Sequence, residues 1–222
     1  MTLLDAMEQR HSVRAYTDKP IEKEKIDALN ALIAECNRDG DLHIQLVQNE
    51  PKAFDCILAH YGKFSGVKNY IALIGKDSDD FDEKIGYYGE KLVLFAQTLG
   101  LNTCWVAMSY KKIKNAFVVN KGEKLGVVIA LGYGKTQGVA HKSKAAEQVA
   151  NVHGAPEWFV RGVNAALLAP TAINQQKFKF TLTNGDKVKA EAGAGFYTKL
   201  DLGIAKYHFE LGAGTENFQW IK

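Results

Sequence analysis

Two arginines and a serine near the N-terminus have the types and spacing that bind a phosphate group. Arg10 and Arg14 are four residues apart, and Ser12 lies between them. A planar guanidinium can donate paired hydrogen bonds to the oxygens of one anion, and a serine hydroxyl adds a short donor. These residue types therefore indicate a phosphate site. Solvated surface charge is the alternative for two arginines that follow a helix.

A second polar cluster, residues 169–176 (the polar loop), follows a predicted helix late in the chain. It reads Ala-Pro-Thr-Ala-Ile-Asn-Gln-Gln, so Thr171, Asn174 and Gln176 offer hydroxyl and amide groups on a segment that Pro170 stiffens. An amide supplies a donor and an acceptor at one position, which suits the polar edge of a buried ligand. A purely structural polar loop is the alternative.

Other catalytic and metal-binding patterns are absent from the sequence. It contains no nucleophile triad, no paired carboxylates and no H-E-x-x-H helix, and we expect no metal site. The three cysteines are an odd number without C-x-x-C spacing, which predicts a reducing cytoplasm. Gly132-Tyr133-Gly134 lacks the third glycine and the following helix of a dinucleotide-binding Rossmann motif.

The spacing of apolar residues predicts the helices and strands that must position these groups. Helices are predicted over residues 2–9, 21–37, 53–61, 81–100, 156–168 and 199–211. Asp39-Gly40 is the predicted stop signal after the second of these helices. Strands are predicted over residues 43–47, 70–74, 102–108, 127–133, 178–183 and 188–191, the last two forming a hairpin around Asn184-Gly185. Gly86 and Gly89, inside the longest helix, indicate close packing against another helix, with a nearby flat ligand as the alternative. The alternation predicts an α+β or α/β fold with a central sheet.

Length and charge limit the classes of protein to which the chain can belong. A chain of 222 residues predicts one compact body. Its 28 basic and 25 acidic residues are interspersed, which gives no broad field for nucleic acid. The apolar runs are too short to span a bilayer, and the N-terminus carries acid where a signal peptide carries positive charge. We therefore expect a cytoplasmic protein without nucleic-acid or membrane partners.

Three segments resemble signatures of the flavin-dependent nitroreductase family. Residues 7–16, Met-Glu-Gln-Arg-His-Ser-Val-Arg-Ala-Tyr, are similar to R-[RH]-S-[VI]-R-x-[FY]. Residues 99–106, Leu-Gly-Leu-Asn-Thr-Cys-Trp-Val, are similar to G-L-x-T-x-W, and the polar loop is similar to A-P-S-x-x-N-x-Q. The first and third segments together are specific for this family, whereas any one segment alone would be a weak signal. The chain resembles in particular the Thermotoga-type subgroup of this family.

The resemblance implies a nitroreductase-like α+β fold, with a central mixed or antiparallel sheet flanked by helices, and one bound FMN. The FMN phosphate would be bound by Arg10, Ser12 and Arg14, with further contacts from Lys142 and Lys144. The polar loop would contact the isoalloxazine or ribityl group. A solvated loop is the alternative for the two lysines, and a core position is the alternative for Trp105. The implied cofactor-binding residues are Arg10, His11, Ser12, Arg14, Trp105, Lys142, Lys144, Pro170, Thr171, Asn174 and Gln176.

The order of the motifs departs from the family pattern. Family members carry the A-P-S loop soon after the arginine motif, whereas here residues 33–40 lack the proline and the loop comes at residue 169. Because family enzymes are homodimers that share FMN across their interface, a duplicated chain would form one site across an internal pseudo-dimer interface. This predicts a weak repeat of residues 1–135 and 156–222, joined by 136–155, with one FMN per chain and a monomer. Sequence drift without a surviving site, and chance similarity of the halves, are the alternatives.

The resemblance also implies the reaction. The flavin would pass hydride from NAD(P)H to a small electron-poor acceptor such as a nitroaromatic compound or a quinone, and the protein would supply position, electrostatics and exclusion of water. No catalytic side chain is required, and Cys104 is assigned no role. A non-catalytic flavin-binding protein, used for storage or sensing, is the alternative.

Overall fold

The computed structural model describes residues 1–221. None of the helices in this range has the length and hydropathy needed to cross a membrane. The α-helices are α1 (Leu3–Gln9), α2 (Lys23–Gly40), α3 (Ile57–Tyr61), α4 (Phe81–Thr98), α5 (Glu157–Ala166) and α6 (Thr198–Ala213). The strands are β1 (Gln45–Val47), β2 (Asn69–Lys76), β3 (Asn102–Val106), β4 (Glu123–Gly132), β5 (Phe178–Leu182), β6 (Lys187–Ala192) and β7 (Gln219–Ile221).

Most helices lie close to their predicted bounds, and two differ. α2 begins at Lys23 and continues through Gly40, three residues past the predicted last helical residue Asn37, because the left-handed residue that ends it is Asp41 (φ 51°). The helix predicted over 53–61 was too long. Pro51–Ala53 form a separate 3₁₀ turn, Cys56 is extended, and the α-helix begins only at Ile57.

The chain divides into two compact units, which share α4. The first consists of residues 9–81 and 92–140 and contains an antiparallel four-stranded sheet in the order β1-β2-β4-β3. β4 is central and pairs with both β2 and β3. Residues 127–131 are at most 3% exposed, as a strand covered on both faces requires. This sheet and the buried residues around it form the core of the unit.

The second unit consists of residues 1–8, 82–91 and 141–222. Its sheet has the order β5-β6-β7, with β5 and β6 antiparallel and β6 and β7 parallel. The predicted hairpin is confirmed. β7 was not predicted, because three residues are too few to show a period. Phe180, Phe209 and Trp220 pack as an aromatic cluster between this sheet and α6.

The α+β class with an antiparallel sheet is confirmed, although the strands lie in two sheets and not in one central sheet. The boundaries of the two units do not follow those of the predicted repeat. The internal duplication and the pseudo-dimer stay predictions.

Glycines allow α4 and α6 to approach closely within the second unit. A Cβ on Gly86 would lie 2.1 Å from the Leu200 carbonyl oxygen, and one on Gly203 would lie 2.0 Å from the Glu83 carbonyl oxygen. Backbone atoms cannot move aside as a flexible side chain can, so both positions exclude any larger residue. The interpretation of Gly86 as a helix-packing residue is therefore confirmed.

Candidate functional site

Residues 10–17 (the arginine segment) lie in the first unit and are attached to its sheet by backbone hydrogen bonds. Each bond reaches a different part of the unit, so the segment is held along its length although it forms no regular strand. The bonds run from Val13 N to Thr103 O (3.0 Å), from Tyr16 N to Ser65 O (2.9 Å), from Thr17 N to Tyr133 O (2.8 Å) and from Lys135 N to Ala15 O (2.8 Å).

The structure brings Arg10, Ser12 and Arg14 together near Cys104 of β3. Burial raises the pKa of the Cys104 thiol, and the charge of Arg14, a hydrogen bond with Ser12 and the charge of Arg10 each oppose that rise. Arg10 is only 3% exposed, whereas Arg14 is exposed and its guanidinium carbon lies 5.9 Å from the centre of the Phe64 ring. Two guanidinium groups and a hydroxyl thus lie near Cys104, the middle residue of β3. The buried, protonated thiol is a poor nucleophile.

The loop after β4 packs against the arginine segment. Gly138 takes a left-handed conformation (φ 73°), and a Cβ there would lie 2.8 Å from that of His11 and 2.9 Å from the Ser12 carbonyl oxygen. The side chain of Asn102 donates to Gln137 Oε1 (2.9 Å) and accepts from the backbone N–H of Gly134 (2.9 Å). Sequence reasoning missed this amide pair, because two isolated polar residues far apart in the sequence give no local signal.

Trp105 also belongs to the first unit. It lies on β3, opposite Ile129 of β4, and its side chain is partly exposed. The indole is therefore not a fully enclosed core residue, and because successive residues of a strand face opposite sides of the sheet, it lies on the other face from Cys104.

The polar loop lies in the second unit and is closed by its own amides. Gln176 is 2% exposed and makes three side-chain hydrogen bonds, donating to Lys142 O (2.9 Å) and Asn174 Oδ1 (2.7 Å) and accepting from Lys144 N (2.9 Å). Its backbone N–H donates to the Thr171 hydroxyl (3.0 Å). Gln176 and Thr171 thus hold the loop in shape, while Asn174 remains exposed.

Lys142 and Lys144 pack against the polar loop. The Lys144 ammonium donates to the carbonyl oxygens of Gln175 (2.9 Å) and Gln176 (2.8 Å), and the Lys142 carbonyl accepts from the Asn174 side chain (2.8 Å). An open cleft of about 460 Å³ borders this region within the second unit. Its charged lining residues are Lys144, Lys177, Lys179 and Glu191, so its lining carries net positive charge.

The backbone of the polar loop is strained. Ile173 (φ 47°), Asn174 (φ 56°) and Gln176 (φ 45°) all adopt left-handed conformations, which β-branched residues such as isoleucine rarely take. The Ile173 side chain is 81% exposed, so packing does not explain its presence. Strain of this kind costs of order 1–3 kcal/mol per residue and is concentrated at functional sites.

A buried carboxylate from α6 holds the middle of the polar loop. Asp201 is 1% exposed; its Oδ1 accepts from the backbone N–H of Ala172 (2.9 Å) and its Oδ2 accepts from Gln175 Nε2 (2.7 Å). Burial raises the pKa of Asp201 to about 6, and the two hydrogen bonds oppose the rise. Sequence reasoning missed this residue. The available signal was a single charge inside the apolar run from Leu200 to Ala205.

The predicted site residues therefore form two groups, each within its own unit. The first combines two arginines with a serine hydroxyl and suits an anion. The second is a rigid loop with hydroxyl, amide and lysine groups and a basic cleft beside it.

Comparison with known proteins identifies related chains. The family model described as "Putative TM nitroreductase" matches residues 2–213. No protein of curated function matches. The crystal structure of a putative nitroreductase from Thermotoga maritima superposes with a TM-score of 0.72 at 23% identity, covering 100% of this chain and 89% of that one.

Two further structures match at lower scores. A putative nitroreductase from Desulfovibrio desulfuricans, solved in complex with FMN, has a TM-score of 0.52 at 20% identity and covers 67% of this chain and 95% of its own. A putative NADH dehydrogenase/NAD(P)H nitroreductase from Parabacteroides distasonis has a TM-score of 0.52 at 23% identity, with coverages of 66% and 95%. At these identities the structures show a shared fold.

The strain in the polar loop can be measured by substituting Ile173. Glycine takes the left-handed conformation without a steric penalty, so Ile173→Gly should raise the free energy of unfolding by about 1 kcal/mol. Val139 is also β-branched and exposed (86%) but is not left-handed, so Val139→Gly should lower it. Denaturant titration of both variants tests this. Equal destabilisation by the two substitutions would show that the loop is not strained.

Proposed function

The chain belongs to the nitroreductase family whose model it matches, and we propose from this that it is an FMN-dependent oxidoreductase. In this proposal it transfers hydride from NADH or NADPH to a small electron-poor acceptor, such as a nitroaromatic compound or a quinone. The observation that carries the proposal is the group formed by Arg10, Ser12 and Arg14 near Cys104 of β3.

This group fits the phosphate of FMN. A phosphate monoester carries roughly −1.5 to −2 charge near pH 7 and three acceptor oxygens. Two guanidinium groups that repel each other are both stabilised by such an anion, and Ser12 adds a hydroxyl donor. We assign phosphate binding to these three residues and a contact with the flavin or the ribityl chain to His11. The FMN complex of the Desulfovibrio relative supports the choice of cofactor.

The second group would bind the polar part of the flavin. We assign contacts with the isoalloxazine or ribityl group to Pro170, Thr171, Asn174 and Gln176, and Trp105 would lie near the ring. Gln176 and Thr171 would act mainly by holding the loop, because their polar groups bond within it. Asn174 is the exposed amide of this group, and because it bonds to Lys142 O and to Gln176 Nε2, it would exchange one of these bonds to contact the flavin.

Lys142 and Lys144 remain proposed phosphate ligands. The bonds that Lys144 makes to two carbonyl oxygens fix its ammonium in place, which lowers the entropic cost of binding an anion there. The positive lining of the adjacent cleft supports an anionic ligand, and both FMN and NAD(P)H carry phosphates.

The residues of this chain would contribute binding and position, not covalent chemistry. When bound, FMN supplies the reaction by accepting hydride from the nicotinamide and passing it to the acceptor. The arginine segment would anchor the cofactor, and the rigid polar loop would align it. No side-chain nucleophile or metal is needed for this role.

Arginine substitution tests the phosphate assignment. Arg14 is exposed, so Arg14→Ala should leave folding intact and weaken FMN binding about tenfold or more, since hydrogen bonds to charged groups contribute about 1.5–3 kcal/mol. Affinity for riboflavin, which lacks the phosphate, should stay unchanged. Arg10→Lys should have the same effect, because lysine keeps the charge but loses the planar fork.

Arg38→Ala is the matched control, because Arg38 is an exposed arginine of the same unit that pairs with Asp39 (2.9 Å). It should bind FMN and riboflavin as the unchanged protein does. Binding can be followed by flavin fluorescence titration. The assignment is wrong if Arg14→Ala weakens riboflavin and FMN equally, or if it weakens neither.

Steady-state turnover separates an enzyme from a flavin-binding protein for storage or sensing. The FMN-loaded protein should oxidise NADH or NADPH in the presence of a nitroarene or a quinone, and the rate should depend on both substrates. Flavin that binds stoichiometrically but is reduced by neither nicotinamide would support storage or sensing and would reject the enzymatic proposal.

A further inference from the structure

The shape of the polar loop depends on one buried carboxylate from a neighbouring helix. We propose that Asp201 is a positioning residue whose ionised carboxylate holds the loop in its flavin-binding conformation, so that protonation of Asp201 releases the loop and weakens flavin binding. This inference rests on the proposed function, because the conformation of the loop affects flavin affinity only if the loop contacts the flavin.

The carboxylate binds the loop on both sides of two of its left-handed residues, Ile173 and Asn174. Ala172, which donates to Oδ1, precedes Ile173 and Asn174, and Gln175, which donates to Oδ2, follows them. The Gln175 amide also donates to the Phe196 carbonyl oxygen (3.0 Å), so its orientation is fixed from two directions. Asp201 thus connects the two residues that flank the strained part of the loop.

The ionised form accepts both bonds more strongly than the protonated form. A carboxylate is a charged acceptor at each oxygen, whereas in a protonated carboxyl one oxygen carries the proton and is a weaker, neutral acceptor. That oxygen would face either the Ala172 N–H or the Gln175 amide. Protonation therefore weakens one of the two attachments, and the stored backbone strain favours release.

The pKa of Asp201 places this change near neutral pH. With a value of about 6, the carboxyl is mostly ionised at pH 7 and mostly protonated at pH 5. Because the pKa is raised in the folded chain, the stability contributed by this group is fully present below its unfolded pKa and is lost as the pH rises through about 6. Burial thus disfavours the charge in the folded chain, whereas the two hydrogen bonds from the loop favour it, so protonation relieves the desolvation of Asp201 while weakening its hold on the loop.

The other charged groups of the surrounding elements have different partners. On α4 and α6, Lys206 pairs with Glu83 (2.7 Å), His208 pairs with Glu90 (2.9 Å), and Glu210 accepts from Tyr87 and Trp220. On the flanking loops, the His141 imidazole contacts Leu167 O (2.9 Å), Lys144 contacts the loop carbonyls, and Lys177 donates to Ala194 O (3.1 Å). The remaining titratable groups near the loop or the start of α6 are Lys142, Tyr197 and Lys199. None of these groups contributes to the shift in the Asp201 pKa.

Two measurements on the full chain test the proposal. In the flavin-free protein, the amide proton resonance of Ala172 should titrate with a midpoint near pH 6, and Asp201→Asn should abolish this titration. Riboflavin affinity should fall roughly tenfold from pH 7.5 to pH 5, the effect expected from losing one hydrogen bond to a charged group. Riboflavin is the probe because the FMN phosphate itself titrates near pH 6.

Variants distinguish Asp201 from other groups. Asp201→Asn should bind riboflavin with an affinity that no longer depends on pH over this range. Gln175→Leu should move the midpoint to higher pH, because the Gln175 bond lowers the pKa of Asp201. Asp186→Asn, at an exposed acid of the same unit, should keep the profile of the unchanged protein.

Three results would contradict the proposal. Riboflavin affinity that is constant with pH while the Ala172 resonance titrates would overturn the link between loop and flavin. A pH dependence that survives Asp201→Asn and disappears in His141→Gln would assign it to the imidazole. If the chain binds no flavin at any pH, the proposed function fails and this inference falls with it, whatever the Ala172 resonance does.

Discussion

The pairing of β4 with both of its neighbours is the constraint on which the first unit depends. Residues 127–131 are buried on both faces, so their backbone groups must bond to β2 and β3, and this fixes where β3 begins and ends. The arginine segment in turn takes its position from Thr103 on β3 and from Tyr133 and Lys135 after β4. The placement of Arg10 and Arg14 near Cys104 therefore depends on the burial of a strand that carries no functional residue.

In the second unit, buried polar side chains likewise need hydrogen-bond partners. The polar loop buries Thr171 and Gln176, and each buried polar group finds a partner within the loop, in the segment 142–144 or on α6. Because these bonds fix the loop before any ligand arrives, its exposed groups are held ready for a ligand. The burial of Asp201, which raises its pKa, and the left-handed conformation of Ile173 each cost free energy in this rigid loop.

Apolar spacing was enough to predict the long helices and the β5–β6 hairpin, because burial imposes a period on the sequence. It could not predict β7, which is three residues long, or the late start of α3, which depends on the 3₁₀ turn before it. The types and spacing of Arg10, Ser12 and Arg14 predicted a shared location, which the structure shows. The partners of Gln176 could not be predicted, since an amide accepts many partners and only the folded chain selects among them. Asp201 was detectable as a lone charge in an apolar helix, but its partners Ala172 and Gln175 were not.

We propose that this chain binds one FMN, and counting the bound flavin tests that proposal. The protein is reconstituted with excess FMN, freed of unbound flavin, and assayed for visible flavin absorbance and for protein concentration by amino-acid analysis. We expect one FMN per chain, and less retained FMN in Arg14→Ala, which lacks part of the proposed phosphate site. A protein that retains no flavin, or that holds two equivalents per chain, would contradict it.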